Sequence, residues 1–419
     1  MKILFLTDNF PPEVNAPATR TYEHCRQWVK MGAEVTVITS FPNFPEGKVY
    51  KGYKNQLKND EWMDGIKVIH VWTYITANKG FVKRTLDYCS FSITSFLVGI
   101  FVKTDIIIAT SPQFFTALAG RTLSFCKHRP WIMEVRDLWP ESIVTVGALK
   151  NNIILRYFEK EEKWSYRSAK KIIVVTNSFK EKIILKGIPE EKIEVILNGA
   201  NSDLYKPKEK NNSLISELGL EGKFILGYVG THGMAHKLDF VLDCAKKLRN
   251  TKPNYHFLFI GNGAEKDALL EKVYSENLTN VTMMDSVTKD EVPGYLSILD
   301  ASIINLRKCE LFKTVIPSKI FESAAMQIPI LIGVDGEARG IVEEFNAGLF
   351  YEPENMTSFL SQLDQITKKE NIENLKKGCK KLAEAFDRKK LAGEMFDLIS
   401  RIINDRVSLH PRFDKVRKN

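Results

Sequence analysis

The sequence predicts an α/β fold of two domains, each a doubly wound parallel sheet with helices on both faces. Short apolar runs recur along the chain, for example at residues 3–6 and 224–229, and each leads into a polar loop and a segment of helical length. Continuous apolar runs are typical of parallel strands that are buried on both faces. The length of 419 residues exceeds what one ordinary core accommodates and fits two domains.

Composition restricts the class of protein. An apolar fraction of 44% without low-complexity runs indicates globular order throughout. The six cysteines include no C-x-x-C pair, which argues against a zinc site and a disulfide framework and favours a reducing cytoplasm. The first apolar run, ILFL, is too short for a signal peptide, so we expect a buried strand there.

The charge of the chain indicates an anionic partner. The formal net charge is +9, and nucleic acid, an acidic membrane surface or nucleotide phosphates could each match it. No nucleic-acid-binding motif is present, so we expect no nucleic-acid partner. An acidic membrane surface and nucleotide phosphates remain as candidate anionic partners.

The first half of the chain predicts repeated strand, helix and strand units. Strands are expected at residues 3–6, 34–39, 66–71, 105–109, 131–135, 171–176 and 193–196, with an irregular segment at 41–62. Ligands of such sheets bind beyond the carboxyl ends of the strands. Arg136 and Asp137 directly follow one strand, so we expect them in that crevice; the alternative is a structural ion pair between them.

Residues 81–102 form one long amphipathic helix in this prediction. Residues 88–102 carry no charge, but their Ser and Thr content and their length argue against a membrane span. Two interpretations stay open and are compatible: a core helix of the first domain, or a helix whose Phe-rich face rests on an anionic bilayer. Cations flank the run, and a basic tail could join it: Lys79, Lys83, Arg84, Lys103, Arg412, Lys415, Arg417 and Lys418.

The stretch FKTVIPSKIFESAA at residues 312–325 predicts a helix start. Pro317 suits the first turn and Ser318 can cap open amides, while Lys319 and Glu322 lie in the first turns. Open amides and a lysine favour a phosphate, and a carboxylate there is suited to accept hydrogen bonds from sugar hydroxyls. The alternative for Glu322 is an exposed carboxylate stabilised by the helix dipole.

The segments PSKIFESAA and VRDLWPES resemble retaining nucleotide-sugar glycosyltransferases of family 4. The closer likeness is to the branch that adds N-acetylated amino sugars such as N-acetylfucosamine in O-antigen and capsule assembly. The resemblance implies two facing Rossmann-like domains, the glycosyltransferase B fold. Residues 1–203 would bind the acceptor, with a C-terminal helix at 391–419 packing back on them, and 204–390 would bind the nucleotide sugar.

Roles for individual residues also follow from the resemblance. Glu322 matches the ribose-binding Glu of the family signature, whereas Thr314 stands at the position of its first Glu. Lys237 would clamp the diphosphate, although Met234 stands where closer relatives have Arg. Asp137 would act near the reacting carbon together with Arg136. The remaining donor-side residues are Lys319, Ser318, Thr231, His232, Gly233, Gly261 and Val287, and those on the acceptor or sugar side are Asn15, Ala16 and Arg20.

The resemblance implies front-face displacement with retention, without a metal or other cofactor, from a donor that is UDP-linked. The acceptor would be a lipid-linked saccharide, and the protein would work in the cytoplasm on the inner face of the plasma membrane. Two other functions stay open. One is a nucleotide-sugar epimerase on the same fold, and the other is a non-catalytic nucleotide-sugar-binding protein.

Overall fold

The computed structural model describes residues 1–44, 46–76, 81–111, 114–140 and 153–409. The expected membrane contacts at Lys79 and in the basic tail lie outside these ranges. The chain divides into two compact units. Residues 1–197 with 389–419 form the first unit, and residues 198–388 form the second.

The first unit is built on a sheet whose described part has eight strands in the order β3-β4-β2-β1-β5-β6-β7-β8. The strands are β1 (Lys2–Leu6), β2 (Glu34–Ser40), β3 (Lys58–Met63), β4 (Ile66–Val71), β5 (Ile106–Thr110), β6 (Trp131–Val135), β7 (Lys171–Val174) and β8 (Ile193–Val195). All neighbours pair in parallel except β3, which runs antiparallel to β4. The helices are α1 (Ala16–Lys30), α2 (Phe81–Gly99), α3 (Phe114–Lys127), α4 (Ile153–Ser168) and α5 (Asn177–Leu185).

Strand β1 shows how the two layers of helices are held. Leu4 and Leu6 enter a core with Phe91 of α2, while Ile3 and Phe5 enter a core on the other face with Trp28 of α1. Successive side chains of a strand point to opposite faces, so an uninterrupted apolar run supplies both cores.

Strand β3 lies where the sequence predicts an irregular segment. It pairs with β4 through a two-residue turn at Asp64 and Gly65, whose φ angles are +47° and +80°. Its side chains alternate between exposed and half-buried because it is an edge strand.

The second unit contains a parallel sheet whose described strands have the order β11-β10-β9-β12-β13-β14. They are β9 (Phe224–Val229), β10 (Tyr255–Ile260), β11 (Val281–Met284), β12 (Ala301–Asn305), β13 (Ile330–Gly333) and β14 (Gly348–Phe350). The helices are α6 (Asn212–Glu217), α7 (Leu238–Leu248), α8 (Lys266–Ser275), α9 (Val292–Ser297), α10 (Lys319–Ala325), α11 (Glu337–Glu344), α12 (Met356–Ile366) and α13 (Lys369–Ala385). The predicted fold class, two parallel-sheet α/β domains, is confirmed.

The last helix, α14 (Arg388–Leu409), belongs to the first unit from Lys389 onward. Leu391, Met395 and Ile399 recur at intervals of four residues and join the core of Ile3 and Trp28. The Trp28 indole donates to the Ala392 carbonyl at 2.9 Å. Helix α14 therefore completes the core that contains Ile3 and Trp28. Of the helices in the described ranges, none combines the length and the apolar character that crossing a bilayer requires.

Candidate functional site

The order of strands in the second unit marks a crevice at the carboxyl ends of β9 and β12. The chain passes from β9 to β10 and β11 on one side and then returns to β12 on the other. Ligands of doubly wound sheets bind where the strand order reverses in this way. The loop at residues 230–237 follows β9 there, and Asn305 ends β12.

Two glycines allow the loops of this crevice to approach each other closely. Gly230 and Gly261 have φ angles of +137° and +150°, which side chains rarely adopt. A Cβ on Gly230 would collide with the Lys319 side chain, and one on Gly261 would collide with the Gly230 carbonyl. The loops after β9 and β10 therefore pack backbone to backbone beside Lys319.

Lys319 is held against Tyr228. Its Nζ donates to the Tyr228 hydroxyl at 2.7 Å and lies 4.1 Å from the centre of the tyrosine ring, and that hydroxyl donates to the Thr231 carbonyl at 2.8 Å. Burial lowers the pKa of Lys319 to about 8, and the Glu322 charge offsets part of this effect. Burial also raises the pKa of Tyr228. The geometry thus places the Lys319 ammonium and a neutral phenol in contact beside the loops of this crevice.

Two histidines surround the same tyrosine. The ring centres of His232 and His236 lie 5.9 and 5.8 Å from that of Tyr228. Burial, reinforced by the charges of Lys266 and Lys319, lowers the pKa of His232 to about 4, and burial with Lys319 lowers that of His236 to about 3. Both imidazoles are thus neutral near pH 7.

His232 is fully buried, and neither of its ring nitrogens has a hydrogen-bond partner in the described part of the chain. An unsatisfied buried polar group costs about 1–3 kcal/mol, so such groups are rare in folded proteins. The Nε2 atom would lie 3.3 Å from a Cβ added at Gly261, which places the ring directly under the glycine-lined loops. His232 therefore has unused capacity to bind a ligand at the crevice.

The loop at residues 230–237 is fastened by β12. The Asn305 amide donates to the His236 carbonyl at 2.7 Å and to the Lys237 carbonyl at 3.2 Å. Lys237 itself adopts a left-handed conformation, with a φ of +47°. Its Nζ forms an ion pair with Asp239 at 2.7 Å, and this bond raises its pKa. Lys237, which was predicted to bind the diphosphate, is thus paired with an acidic residue in the first turn of α7.

Helix α10 begins differently from the prediction. Ser318 has helical angles, φ −60° and ψ −23°, and its side chain makes no capping hydrogen bond. The Ile320 amide donates to the Pro317 carbonyl at 3.1 Å, and the Phe321 amide donates to the Ser318 carbonyl at 3.1 Å. The expectation that Ser318 caps this helix start is therefore wrong, because Ser318 itself has helical angles and the amides of Ile320 and Phe321 bond within a tight first turn. What this helix start brings to the crevice is the Lys319 side chain.

The remaining donor-side residues occupy different places. Glu322 is half-buried one turn into α10, close enough for its charge to act on Lys319. Thr314 donates its hydroxyl to the Leu311 carbonyl at 2.9 Å. Thr231 is exposed, the Gly233 carbonyl accepts from the His236 amide at 2.9 Å, and Val287 is half-buried after β11. Structural contacts thus draw together Gly230, Thr231, His232, Gly261 and Lys319, but do not include Val287.

Lys266 is a residue of this crevice that the sequence analysis missed. Although buried, its Nζ donates to the Gly261 carbonyl at 3.2 Å and to the Met284 carbonyl, and it lies 3.8 Å from the Asp285 carboxylate. Burial lowers its pKa, and Asp285 opposes that effect. A lysine at a helix start just after a Gly-Asn-Gly turn was the available signal. Lys266 joins the loops after β10 and β11.

In the first unit, the candidates on the acceptor side support the start of α1. The Asn15 side chain accepts from the Ala18 amide at 2.9 Å and thereby caps the helix, while Ala16 is exposed at its first position. Arg20 is buried and paired with Glu134 at 3.0 Å, and it also donates to the carbonyls of residues 196 and 197. This engagement stabilises the sheet, which differs from the sugar contact expected of Arg20.

Arg136 and Asp137 follow β6, as predicted. Both are half-buried, and the Arg136 guanidinium donates to the Pro17 carbonyl at 3.2 Å, next to the start of α1. The positive charge of Arg136 also helps to lower the pKa of the buried Glu134 carboxyl. Arg136 thus links the end of β6 to the start of α1. Across the described residues, no group of three or more His, Cys, Asp or Glu side chains is placed to hold a metal ion.

Comparison with protein families assigns both halves of the chain. Residues 17–204 match the family described as Glycosyltransferase Family 4, and residues 211–388 match Glycosyl transferases group 1. The chain therefore carries a glycosyltransferase family 4 domain followed by a glycosyltransferase group 1 domain, and it has the glycosyltransferase B fold. The predicted resemblance is confirmed at this level.

Individual relatives agree with this class. A candidate colanic acid biosynthesis glycosyl transferase of Escherichia coli (strain K12), WcaI, is 23% identical over 87% of this chain and 92% of its own length. Sucrose-phosphate synthase from Thermosynechococcus elongatus superposes with a TM-score of 0.74 at 14% identity, covering 96% of this chain and 99% of that one. HepE of Anabaena, solved with UDP and glucose, gives 0.71 at 16% identity, with 96% and 99% covered.

Proposed function

We propose that this protein is a retaining glycosyltransferase of bacterial surface polysaccharide assembly. It transfers an N-acetylated amino sugar from a UDP-linked donor to a lipid-linked saccharide at the inner face of the plasma membrane. The observation that carries the proposal is Lys319, which is fixed to Tyr228 at 2.7 Å beneath the glycine-lined loops of the second unit. A cation in a partly desolvated crevice is suited to a diphosphate.

The donor diphosphate in this proposal lies over Gly230 and Gly261. The Lys319 ammonium neutralises its charge, and the neutral His232 ring donates one N–H to a phosphate oxygen, which satisfies a buried group that has no hydrogen-bond partner among the described residues. Glu322 accepts hydrogen bonds from the ribose hydroxyls. Lys237 is a weaker candidate because Asp239 already holds its ammonium.

The reaction proposed is a front-face displacement. The bond from the anomeric carbon to the β-phosphate oxygen breaks, and a bond from the acceptor oxygen forms on the same face. The acceptor proton passes to the departing phosphate, so atoms and charge balance without a base from the protein. Asp137, in the first unit, orients the sugar near that carbon, and Arg136 supports its loop through the Pro17 carbonyl.

The relatives support the substrate class of the proposal. The description of WcaI names colanic acid biosynthesis, and the HepE structure contains UDP and glucose. The proposal of an amino sugar rests only on the likeness of the PSKIFESAA and VRDLWPES segments. The alternatives predicted from the sequence, an epimerase and a non-catalytic binding protein, would share the donor crevice.

Titration calorimetry tests the donor site. The whole protein is titrated with UDP, with ADP and with UDP-N-acetylhexosamines, and Lys319→Met is compared with Lys289→Met, a half-buried lysine of the segment before α9. We expect UDP to bind and Lys319→Met to weaken it at least tenfold, because a charge-assisted bond to phosphate is worth about 1.5–3 kcal/mol. Equal affinity of the two variants for UDP would contradict the site.

A further inference from the structure

Helix α2 exposes an apolar stripe on the face opposite to its core residues. Leu86, Ile93, Leu97 and Phe101 are 52%, 60%, 55% and 87% exposed. Their spacing of seven, four and four residues places them along one side of the helix and of the turn that continues it. The stripe is about 20 Å long at 1.5 Å per residue.

Two phenylalanines of α2, Phe91 and Phe96, do not belong to this stripe. Phe91 is fully buried in the core, and Phe96 packs against the same core. Asp87, Phe91 and Ser95 lie on the buried face at intervals of four residues. The Phe-rich face of α2 is therefore its core face, and any partner would contact the other side.

Helix α3 ends beside the end of α2 and carries a further exposed aromatic side chain. The Lys127 amino group donates to the Ile100 carbonyl at 2.7 Å, so the ends of α2 and α3 lie side by side. Phe125, near the end of α3, is 78% exposed. Phe101 and Phe125 are thus both exposed near the ends of the two neighbouring helices, and exposed apolar side chains grouped in this way are typical of interaction sites.

Most charges around the stripe are positive, and Glu34 of β2, which lines one pocket with Phe101 and Lys103, forms an ion pair with Lys2 at 2.9 Å. The only acidic residue of α2 and α3 is Asp87, which is buried. Lys83 at the start of α2 and Lys103 beyond its end are exposed, and within the described ranges neither forms an ion pair. An apolar stripe bounded by unpaired cations complements an anionic bilayer, whose headgroups attract the cations while the apolar side chains enter the acyl boundary.

We propose that the surface formed by Leu86, Ile93, Leu97, Phe101 and Phe125 is the membrane-docking surface of this protein, and that its partner is an anionic lipid bilayer. It rests on the proposed function only in that a lipid-linked acceptor requires contact with a membrane. The helix lies in the interface plane and does not cross it. Docking by the exposed stripe leaves the core of the first unit intact.

Co-sedimentation with vesicles tests the docking surface. The parent is compared with Leu97→Ser/Phe101→Ser and with a control, Leu57→Ser/Leu185→Ser, whose leucines are 83% and 86% exposed and lie outside α2 and α3. Vesicles contain phosphatidylcholine alone or with phosphatidylglycerol. We expect the parent and the control to bind the anionic vesicles, and the stripe variant to lose binding by about tenfold.

Substitution of Lys83 and Lys103, together with a salt series, separates the electrostatic contribution to vesicle binding from the apolar one. Lys83→Glu/Lys103→Glu should reduce binding to anionic vesicles by at least about tenfold, and high salt should weaken but not abolish binding of the parent. Unchanged binding of the stripe variant would overturn the proposal, and so would a parent that ignores anionic vesicles. A concentration-dependent dimer that the stripe variant abolishes would also overturn it, since a second copy would then cover the stripe.

UDP calorimetry on the same samples distinguishes this proposal from the proposed function. UDP binding without vesicle binding would contradict only the docking surface, whereas vesicle binding without UDP binding would contradict only the donor site. Phe91→Ser provides the folding control, because it should lower the melting temperature while the stripe variant should not.

Discussion

The Tyr351 hydroxyl donates to the Asn305 side-chain oxygen at 2.6 Å, and both side chains are buried. The amide of the same asparagine donates to the carbonyls of His236 and Lys237. A relay of hydrogen bonds therefore runs from β14 through β12 to the loop beneath which Lys319 lies. Tyr351 is a positioning residue in this account, since it reaches the crevice only through Asn305.

Tyr351→Phe should loosen the 230–237 loop. The variant leaves the buried Asn305 oxygen without its donor, which costs about 1–3 kcal/mol of unfolding free energy. We expect UDP affinity to fall several-fold as well, because the loop is no longer pre-organised. Urea denaturation and calorimetry measure the two effects, with Tyr274→Phe, an exposed tyrosine of α8, as the control. A stability loss with unchanged UDP affinity would show that Tyr351 acts only on folding.

Glu322→Ala should weaken binding of UDP by about 1.5–3 kcal/mol, because hydrogen bonds from the ribose hydroxyls to a carboxylate are charge-assisted. Calorimetry with UDP and with 2′,3′-dideoxy-UDP measures this directly. The dideoxy compound should bind the parent and the variant equally. The ribose assignment fails if Glu322→Ala binds both nucleotides as the parent does.

The pKa of Lys319 predicts a pH dependence. Burial holds the pKa of Lys319 in the folded protein at about 8, below its ordinary value of 10.5. Between these values the unfolded chain binds more protons at this site, so its contribution makes stability rise with pH from about 8 to 10.5. UDP affinity should change in the opposite sense, falling as the ammonium loses its proton above pH 8. Lys319→Arg should lose less UDP affinity than the parent as the pH rises above 8, because guanidinium stays protonated.

Asp137→Asn should spare UDP affinity and reduce turnover by about a hundredfold, since the residue is assigned to the sugar and not to the nucleotide. Steady-state kinetics and calorimetry on one preparation measure both quantities. Equal losses in affinity and rate would indicate a structural ion pair with Arg136.

Much of the fold was predictable because buried parallel strands appear in the sequence as continuous apolar runs. Strand β3 was not, since an edge strand is polar and the signal lay in the Asp64-Gly65 turn. Helix α2 was predicted as amphipathic, but which face is buried depends on its packing against α3 and the sheet. Phe91 is in the core, while Phe101 is exposed.

Individual site residues were less predictable because their roles depend on distant partners. Arg20 is neutralised by Glu134, 114 positions along the chain, and nothing in the local pattern reveals that pair. Ser318 has the identity of a capping residue but the backbone angles of the helix itself. Lys319 and His232 were predicted from their motifs. The fold brings them to the same place because the segments that carry them follow the carboxyl ends of the neighbouring strands β9 and β12.

The most direct measurement follows a radiolabelled sugar from a UDP-linked N-acetylhexosamine to a polyprenyl-linked saccharide, with the anomeric configuration of the product determined by NMR. The account predicts transfer with retained configuration by the parent and at least tenfold slower transfer by Lys319→Met. An epimerised nucleotide sugar without transfer, or a product of inverted configuration, would contradict it.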